Sequence, residues 1–437
     1  MDWIILALIL PVIVYALVAL YIYKMKIWQE TITFYGPIMA IKTDRVGFFD
    51  RFLSQRAFFR VYGTIGVITV ILVSVAMVVL LLFSLYFTIM TRPAPTAVNQ
   101  IGNVLAIPGV NQFIPFTFAV WFGLIVTMVV HEFGHAILCR IEGIKVKTMG
   151  ILLAVIPIGA FVEPDEEDQE KTKGLSKMRM FGAGITNNII VGFLCFAVLI
   201  LLLGLAVPQP TPLIKSVYID YPAAGAGIQP DSVVRSINGL DVSSRDQVAV
   251  ILDASHPGDQ VTLVTEKEGT LSTYKITLVR WPPEISNKTS GFMGVTYYDA
   301  PGLKQVFNNL ATPFGMLVLM AIPIYVILDP QQWGGFLILV NHTTDSIAWS
   351  VPFPQFWIVV QVLFWCGWFN LAVGTFNALP LVPLDGGYIL KAGTDWILER
   401  RGLLKYSGYI VSAVSFVMLF VIITIFMLPI LLHMSPL

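Results

Sequence analysis

The sequence predicts a polytopic α-helical membrane protein of about six full spans plus re-entrant segments, with a small α/β domain inserted between spans. Three observations carry this. The 437 residues are 56% hydrophobic and 12% charged, where an ordinary soluble domain is roughly 25% charged. Apolar runs of the roughly 20 residues that cross a bilayer as a helix recur along the chain. One stretch, 211–281, differs: its charges are spread and turns cut it into short pieces. Net charge is zero, so nothing points to nucleic acid. Cys139, Cys195 and Cys366 lie far apart in apolar segments and read as small core residues rather than a disulfide framework.

The first span is expected at about 3–23. Residues 24–62 follow as a basic loop with Lys24, Lys26, Lys42, Arg45, Arg51, Arg56 and Arg60. A second span, about 64–90, leads to a loop whose one basic residue is Arg92. A third, about 114–138, is followed at once by Arg140, Lys145, Lys147, Lys171, Lys173, Lys177 and Arg179, and a fourth covers about 182–207. Cytoplasmic loops carry the excess of Lys and Arg, so the N-terminus is expected outside and the basic loops inside.

Residues 150–163, GILLAVIPIGAFVE, are apolar but too short to span, and Pro157 and Gly159 oppose a helix. A re-entrant or membrane-surface hairpin is expected, because non-helical backbone at that depth must be buried by protein or face a watery cavity. The acidic 163–170 reads as a solvated loop. In 211–281, VVRSING and DQVTLVTEKEG read as strands and SRDQVAVILDAS as a short amphipathic helix, with turns at Asn238-Gly239, Pro257-Gly258-Asp259 and Glu268-Gly269. Following the fourth span, this domain is expected outside. Residues 307–329 are apolar but interrupted by Pro313 and Pro323, and read as a broken hairpin that dips in and returns. Spans at about 354–379 and 407–431 flank the basic Arg400, Arg401 and Lys405.

The third span carries VVHEFGHAILCR, 129–140. His131 and His135, four apart on a helix, share a face about 6 Å apart along the axis, and two imidazoles so placed converge on one ion. Glu132 beside them is placed to take a proton from water and pass it to a leaving amine. Ionisable groups inside a span are costly unless paired or metal-bound, so three within five residues argue for function. Two histidines leave a zinc site short of a ligand. Asp385, in LVPLDGG, is the one acidic residue in the membrane core of the second half, and His₂-carboxylate leaves a fourth position open for water. Pro380 and Pro383 prevent a continuous helix there, and Gly386 and Gly387 allow a tight turn. Asn370 and Asn377, seven apart, share a helix face; such amides bond a substrate backbone or a developing oxyanion, or glue helices together. Asn187 and Asn188, after Gly182 and Gly184, raise the same choice.

HEFGH in a membrane helix, followed much later by NALPLVPLDGG (377–387), resembles the site-2 proteases, which are intramembrane zinc metallopeptidases. The resemblance implies that His131, His135 and Asp385 bind one catalytic zinc and that Glu132 is the catalytic base. It also implies a counterpart for Asn377, for Gly184 with Asn188, and for a membrane-inserted hairpin after the HExxH helix. YPAAGAGIQPDSVVRSINGLDV (221–242) is similar to a PDZ domain of the type fused to proteases. It departs at Gln229-Pro230-Asp231-Ser232, where Pro-Gly-Asp is usual. That likeness implies an extended peptide added to a sheet edge; a gate or size filter without a bound peptide is the other reading.

The chain then divides into an N-terminal two-span region with its basic loop (1–113), the first half of a catalytic membrane core (114–207), the PDZ domain (211–281), a connector with the broken apolar hairpin (282–352) and the second half of the core (353–437). The expected function is hydrolysis of peptide bonds within or near transmembrane segments of membrane-protein substrates, in regulated intramembrane proteolysis, with the zinc site near the cytoplasmic side. A different class, a non-catalytic membrane PDZ receptor or chaperone with a structural zinc site, does not need Glu132. A metal transporter needs no base either and commonly shows internal repeats, which this chain lacks. Glu399, as the ligand of another type of zinc protease, sits beside Arg400 and Arg401 in what reads as a solvated loop.

Overall fold

The structure, a computed structural model, describes residues 2–433, the side chains of 2–8 and 331 excepted. In chain order it runs α1 (Asp2–Met25), β1 (Ile32–Tyr35), β2 (Ile38–Thr43), α2 (Arg56–Thr91), α3 (Phe118–Glu142), β3 (Val146–Ala154), β4 (Ile156–Pro164), α4 (Glu166–Lys171) and α5 (Gly174–Leu205). Then come β5 (Val207–Pro208), β6 (Ile214–Val217), α6 (Pro222–Gly225), β7 (Val233–Ile237), β8 (Leu240–Asp241), α7 (Arg245–Asp253), β9 (Gln260–Lys267), β10 (Thr270–Thr277), β11 (Val279–Arg280), β12 (Gly291–Phe292) and β13 (Val295–Tyr297). The chain closes with α8 (Ala300–Asn308), α9 (Pro313–Leu328), α10 (Pro330–Trp333), α11 (Leu337–Val340), β14 (Trp349–Ser350), α12 (Phe356–Asn377), α13 (Asp385–Glu399) and α14 (Ser407–His433).

Among the described residues, five helices are long and apolar enough to cross a membrane, namely those containing α2, α3, α5, α12 and α14. At 24 residues, α1 is also long enough for a crossing at 1.5 Å per residue. The α2 surface shows why lipid is the solvent. Val61, Ile65, Ile68, Leu72, Val75 and Val79 form an exposed apolar stripe at helical spacing, a patch that water does not tolerate. The protein is an integral membrane protein.

Contacts divide the chain into two units: Met1–Asn111, Phe118–Cys195 and Trp365–Leu437 form one, Gln112–Thr117 and Phe196–Phe364 the other. In the first unit, the apolar 150–163 segment forms the expected hairpin, β3 and β4. The basic 24–62 segment is more than the loop its charges suggest. Residues 32–43 form a second hairpin, and β2 pairs antiparallel with β3 (Met39 opposite Leu153, Thr43 opposite Met149). The four-stranded order is β1-β2-β3-β4, which leaves β4 as an edge. Tyr15 Oη of α1 donates to Pro37 O and to Leu153 O (2.9 Å), tying the tips of both hairpins to a membrane helix. The acidic stretch after β4 is a short helix, α4, capped by Asp165, whose carboxylate accepts from Asp168 N.

In the second unit, β10-β9-β7-β8 form one sheet and β13 pairs with β6. The Asn238-Gly239 turn between β7 and β8 has positive φ at both residues (52° and 79°), the type I′ geometry that suits a two-residue hairpin. The core of this small domain gathers Ile214, Val234, Val248 and Leu263, and also Met293 and Val295, which lie beyond residue 281. Residues 307–329 do not make a broken hairpin. Pro313 starts α9, where a missing N–H costs nothing, and Thr312 Oγ1 caps it by accepting from Gly315 N (3.0 Å). Pro323 lies inside the same 16-residue helix. Lys304 Nζ donates to Leu203 O and Gly204 O at the end of α5 (2.9 and 2.7 Å), a cation at a helix C-terminus. Lys215 reaches the fully buried Asp345 at 2.8 Å; burial raises that carboxyl above its usual range and the ammonium opposes it.

Candidate metal centre

Three donor atoms meet in the first unit. His131 Nε2 lies 3.0 Å from Asp385 Oδ2. His135 Nε2 lies 3.2 Å from the same oxygen and 3.2 Å from His131 Nε2. A tetrahedral zinc with bonds of about 2.0 Å has neighbouring ligands about 3.3 Å apart, so this triangle is close to one face of such a tetrahedron. Among the described residues it is the one group of three or more His, Cys, Asp or Glu suited to a metal.

The donor chemistry fits a cation. Asp385 Oδ2 is buried without a hydrogen-bond donor. His135 Nδ1 sits 2.9 Å from Met180 O; a carbonyl only accepts, so Nδ1 carries the proton and Nε2 offers a lone pair. Three electron-rich atoms turned toward one point repel one another, and a divalent ion held there would remove the conflict.

Each donor is placed by its element. His131 and His135 project from one face of α3, as their spacing predicts. Asp385 is the first residue of α13. The 378–384 link folds back over that helix start, so a β carbon at Gly386 would lie 2.4 Å from Ala378 O and Leu379 O; only glycine permits the approach. Val382 N donates to Ser415 Oγ on α14 (3.1 Å), fixing the link from the other side. Behind the three donors runs α5. A β carbon at Gly184 would lie 2.5 Å from His135 Nε2 and 2.7 Å from His131 Cε1. The half-buried Glu132 accepts a hydrogen bond from the backbone of Val162 on β4, which sets the sheet edge beside the carboxylate.

A family model for peptidase family M50 matches residues 117–422, which hold the HEFGH helix, the Asp385 segment and everything between. The chain belongs to peptidase family M50. Membership makes it a metalloprotease, in accord with its site-2 protease motifs. An uncharacterized protein of Methanocaldococcus jannaschii is similar at 24% identity over 371 residues, 84% of this chain and 80% of that one. A putative zinc metalloprotease of Mesorhizobium japonicum is 24% identical over 346 residues, 66% of this chain and 90% of that one. Among solved structures, the PDZ domain of an SdrC-like protein from Listeria monocytogenes is matched over 22% of this chain and 96% of that one, at 20% identity. Its TM-score of 0.19 is too low to argue anything about the small domain.

In this M50 protein the asparagines separate by burial. Asn370 is 0% exposed. Its Nδ2 donates to Thr127 Oγ1 and to Cys366 O, both at 2.8 Å, so it joins α12 to α3. Asn187 does likewise for α5: Nδ2 donates to Val130 O (3.0 Å) and Oδ1 accepts from Tyr62 Oη. Asn188, also 0% exposed, lies against His131 Nδ1 at 3.2 Å. Asn377 ends α12, is part exposed, and its amide has no hydrogen-bond partner among the described residues. Sequence reasoning missed the Met180 carbonyl and the Val162 backbone, since a main-chain group leaves no residue signature. Asp385→Asn removes the one anionic donor of the triangle and should weaken zinc binding by more than the roughly ten- to hundredfold that loss of an outer partner costs, read by competition with a chelating dye.

Proposed function

We propose that this M50 metalloprotease is an intramembrane zinc enzyme of the site-2 type, which cuts peptide bonds within or near the transmembrane segments of membrane-protein substrates in regulated intramembrane proteolysis. The observation that carries the proposal is the convergence of His131, His135 and Asp385 at mutual distances of 3.0–3.2 Å, inside a membrane helix unit and beside Glu132.

His131, His135 and Asp385 would hold the zinc. When bound, zinc supplies a Lewis acid that polarises the scissile carbonyl and acidifies water. Glu132 takes the proton of the attacking water and hands it to the leaving amine. A transmembrane helix hides its carbonyls in its own hydrogen bonds, so it must unwind first. The free edge of β4 gives the unwound segment a strand to pair with, and Val162 brings that strand past the Glu132 carboxylate. The unpartnered Asn377 amide is available to the freed backbone or the developing oxyanion. The excess of Lys and Arg in the segments flanking the site helices supports a zinc site toward the cytoplasmic face. The small domain then lies outside, where as a PDZ domain it takes an extended peptide or screens substrates by size.

The test is cleavage of a single-span substrate by the purified protein in liposomes, with product ends located by mass spectrometry. The expected cut lies inside the span, falls to background when a chelator strips the metal, and returns with one equivalent of zinc. Cleavage that survives chelation, or is confined to loops outside the bilayer, refutes the proposal.

A further inference from the structure

We infer that Asn188 is a positioning residue of the metal centre: its amide oxygen accepts the Nδ1–H of His131 and so leaves His131 Nε2 bare for the metal. This rests on the zinc reading above. Asn188 is 0% exposed, so it acts through its neighbour and not on a substrate. Its Nδ2 lies 3.2 Å from His131 Nδ1, while its Oδ1 is buried with no partner.

His131 Nε2 is the nitrogen that faces Asp385 and His135. A neutral imidazole carries one N–H, so a bare Nε2 requires the proton on Nδ1. Two N–H groups would then face each other across the 3.2 Å gap. A half-turn of the carboxamide exchanges oxygen and nitrogen with little change of shape. It sets an acceptor against Nδ1–H and gives the orphaned oxygen its partner. His135 is held in the same tautomer by the Met180 carbonyl at 2.9 Å. Residues 180, 184 and 188 are four apart, hence on one face of α5. One helix face therefore bonds His135, gives room to both rings, and bonds His131 in turn.

The experiment measures zinc affinity by dye competition and the visible spectrum of the cobalt-loaded protein, neither of which needs cleavage. Asn188→Asp keeps an oxygen acceptor; Asn188→Ala removes it, and Asn188→Leu removes it at similar volume should the alanine variant not fold. The expected result is a loss of zinc affinity of about ten- to a hundredfold in the alanine or leucine variant, with an altered cobalt spectrum, and an aspartate variant close to wild type in both. Wild-type affinity and spectrum in the alanine or leucine variant overturn the inference. So does an aspartate variant as weak as alanine, which assigns Asn188 a donor or packing role. A wild-type protein that holds no zinc removes the metal reading itself, a separate outcome from a zinc-binding wild type matched by its variants.

Discussion

Glu132→Gln should keep its full equivalent of zinc and lose cleavage of a membrane substrate by about a thousandfold or more, the size of a removed general acid–base. The two halves of this expectation come from different atoms. The donor triangle is built from His131, His135 and Asp385 and takes nothing from Glu132. Glutamine has the shape of glutamate, and its carbonyl oxygen still accepts from the Val162 backbone that Glu132 meets. What glutamine lacks is a site for a proton. Zinc content by elemental analysis and cleavage rate in liposomes, measured on the same preparation, separate the two. Undiminished cleavage would sink Glu132 as the base, whereas a zinc-holding wild type that cleaves nothing would leave the receptor alternative standing, because a receptor has no use for a base. Loss of zinc together with activity would instead make Glu132 part of the structural frame.

The donor triangle is legible in the sequence, its histidine pair because it depends on a short spacing. His131 and His135 meet for the reason their four-residue separation gives, and Asp385 stands out as an anion at a depth where it needs a partner. The Asn238-Gly239 turn was equally local. What escaped were features made by distant pairings. Ile32–Thr43 pairs with itself around Gly36-Pro37 (Ile32 opposite Ile41), a local signal that the surrounding basic residues obscure, but the ladder that joins β2 to β3, far along the chain, is not written in 24–62. Residues 313–328 look broken by two prolines, but one stands where a helix begins and the other is tolerated inside an apolar unit. Asn370 and Asn377 share a face by spacing, yet one is fully enclosed between helices and the other is not, and spacing carries no information on depth.

Gly184→Ala should lose the metal while leaving the fold intact or slightly firmer. At this position the added methyl would stand 2.5 Å from His135 Nε2, 2.7 Å from His131 Cε1 and 2.8 Å from His131 Nε2. These are the ring edges that face the ion. To reach ordinary contact the rings must move by about an ångström, several times the roughly 0.2 Å that a metal site tolerates. The helix cannot retreat instead, because Asn187 bonds α5 to Val130 O at 3.0 Å and the Met180 carbonyl bonds it to His135. Zinc affinity should fall by about a thousandfold, or about 4 kcal/mol. Helix propensity runs the other way: alanine in a helix interior is favoured over glycine by about 1 kcal/mol. Metal loss and apo-protein stability thus move in opposite directions, which a general loosening of the fold does not produce. Zinc titration and thermal unfolding of the metal-free protein read the two signs. An alanine variant that binds zinc as tightly as wild type would mean that α5 and the imidazoles are not in the contact from which this centre is built.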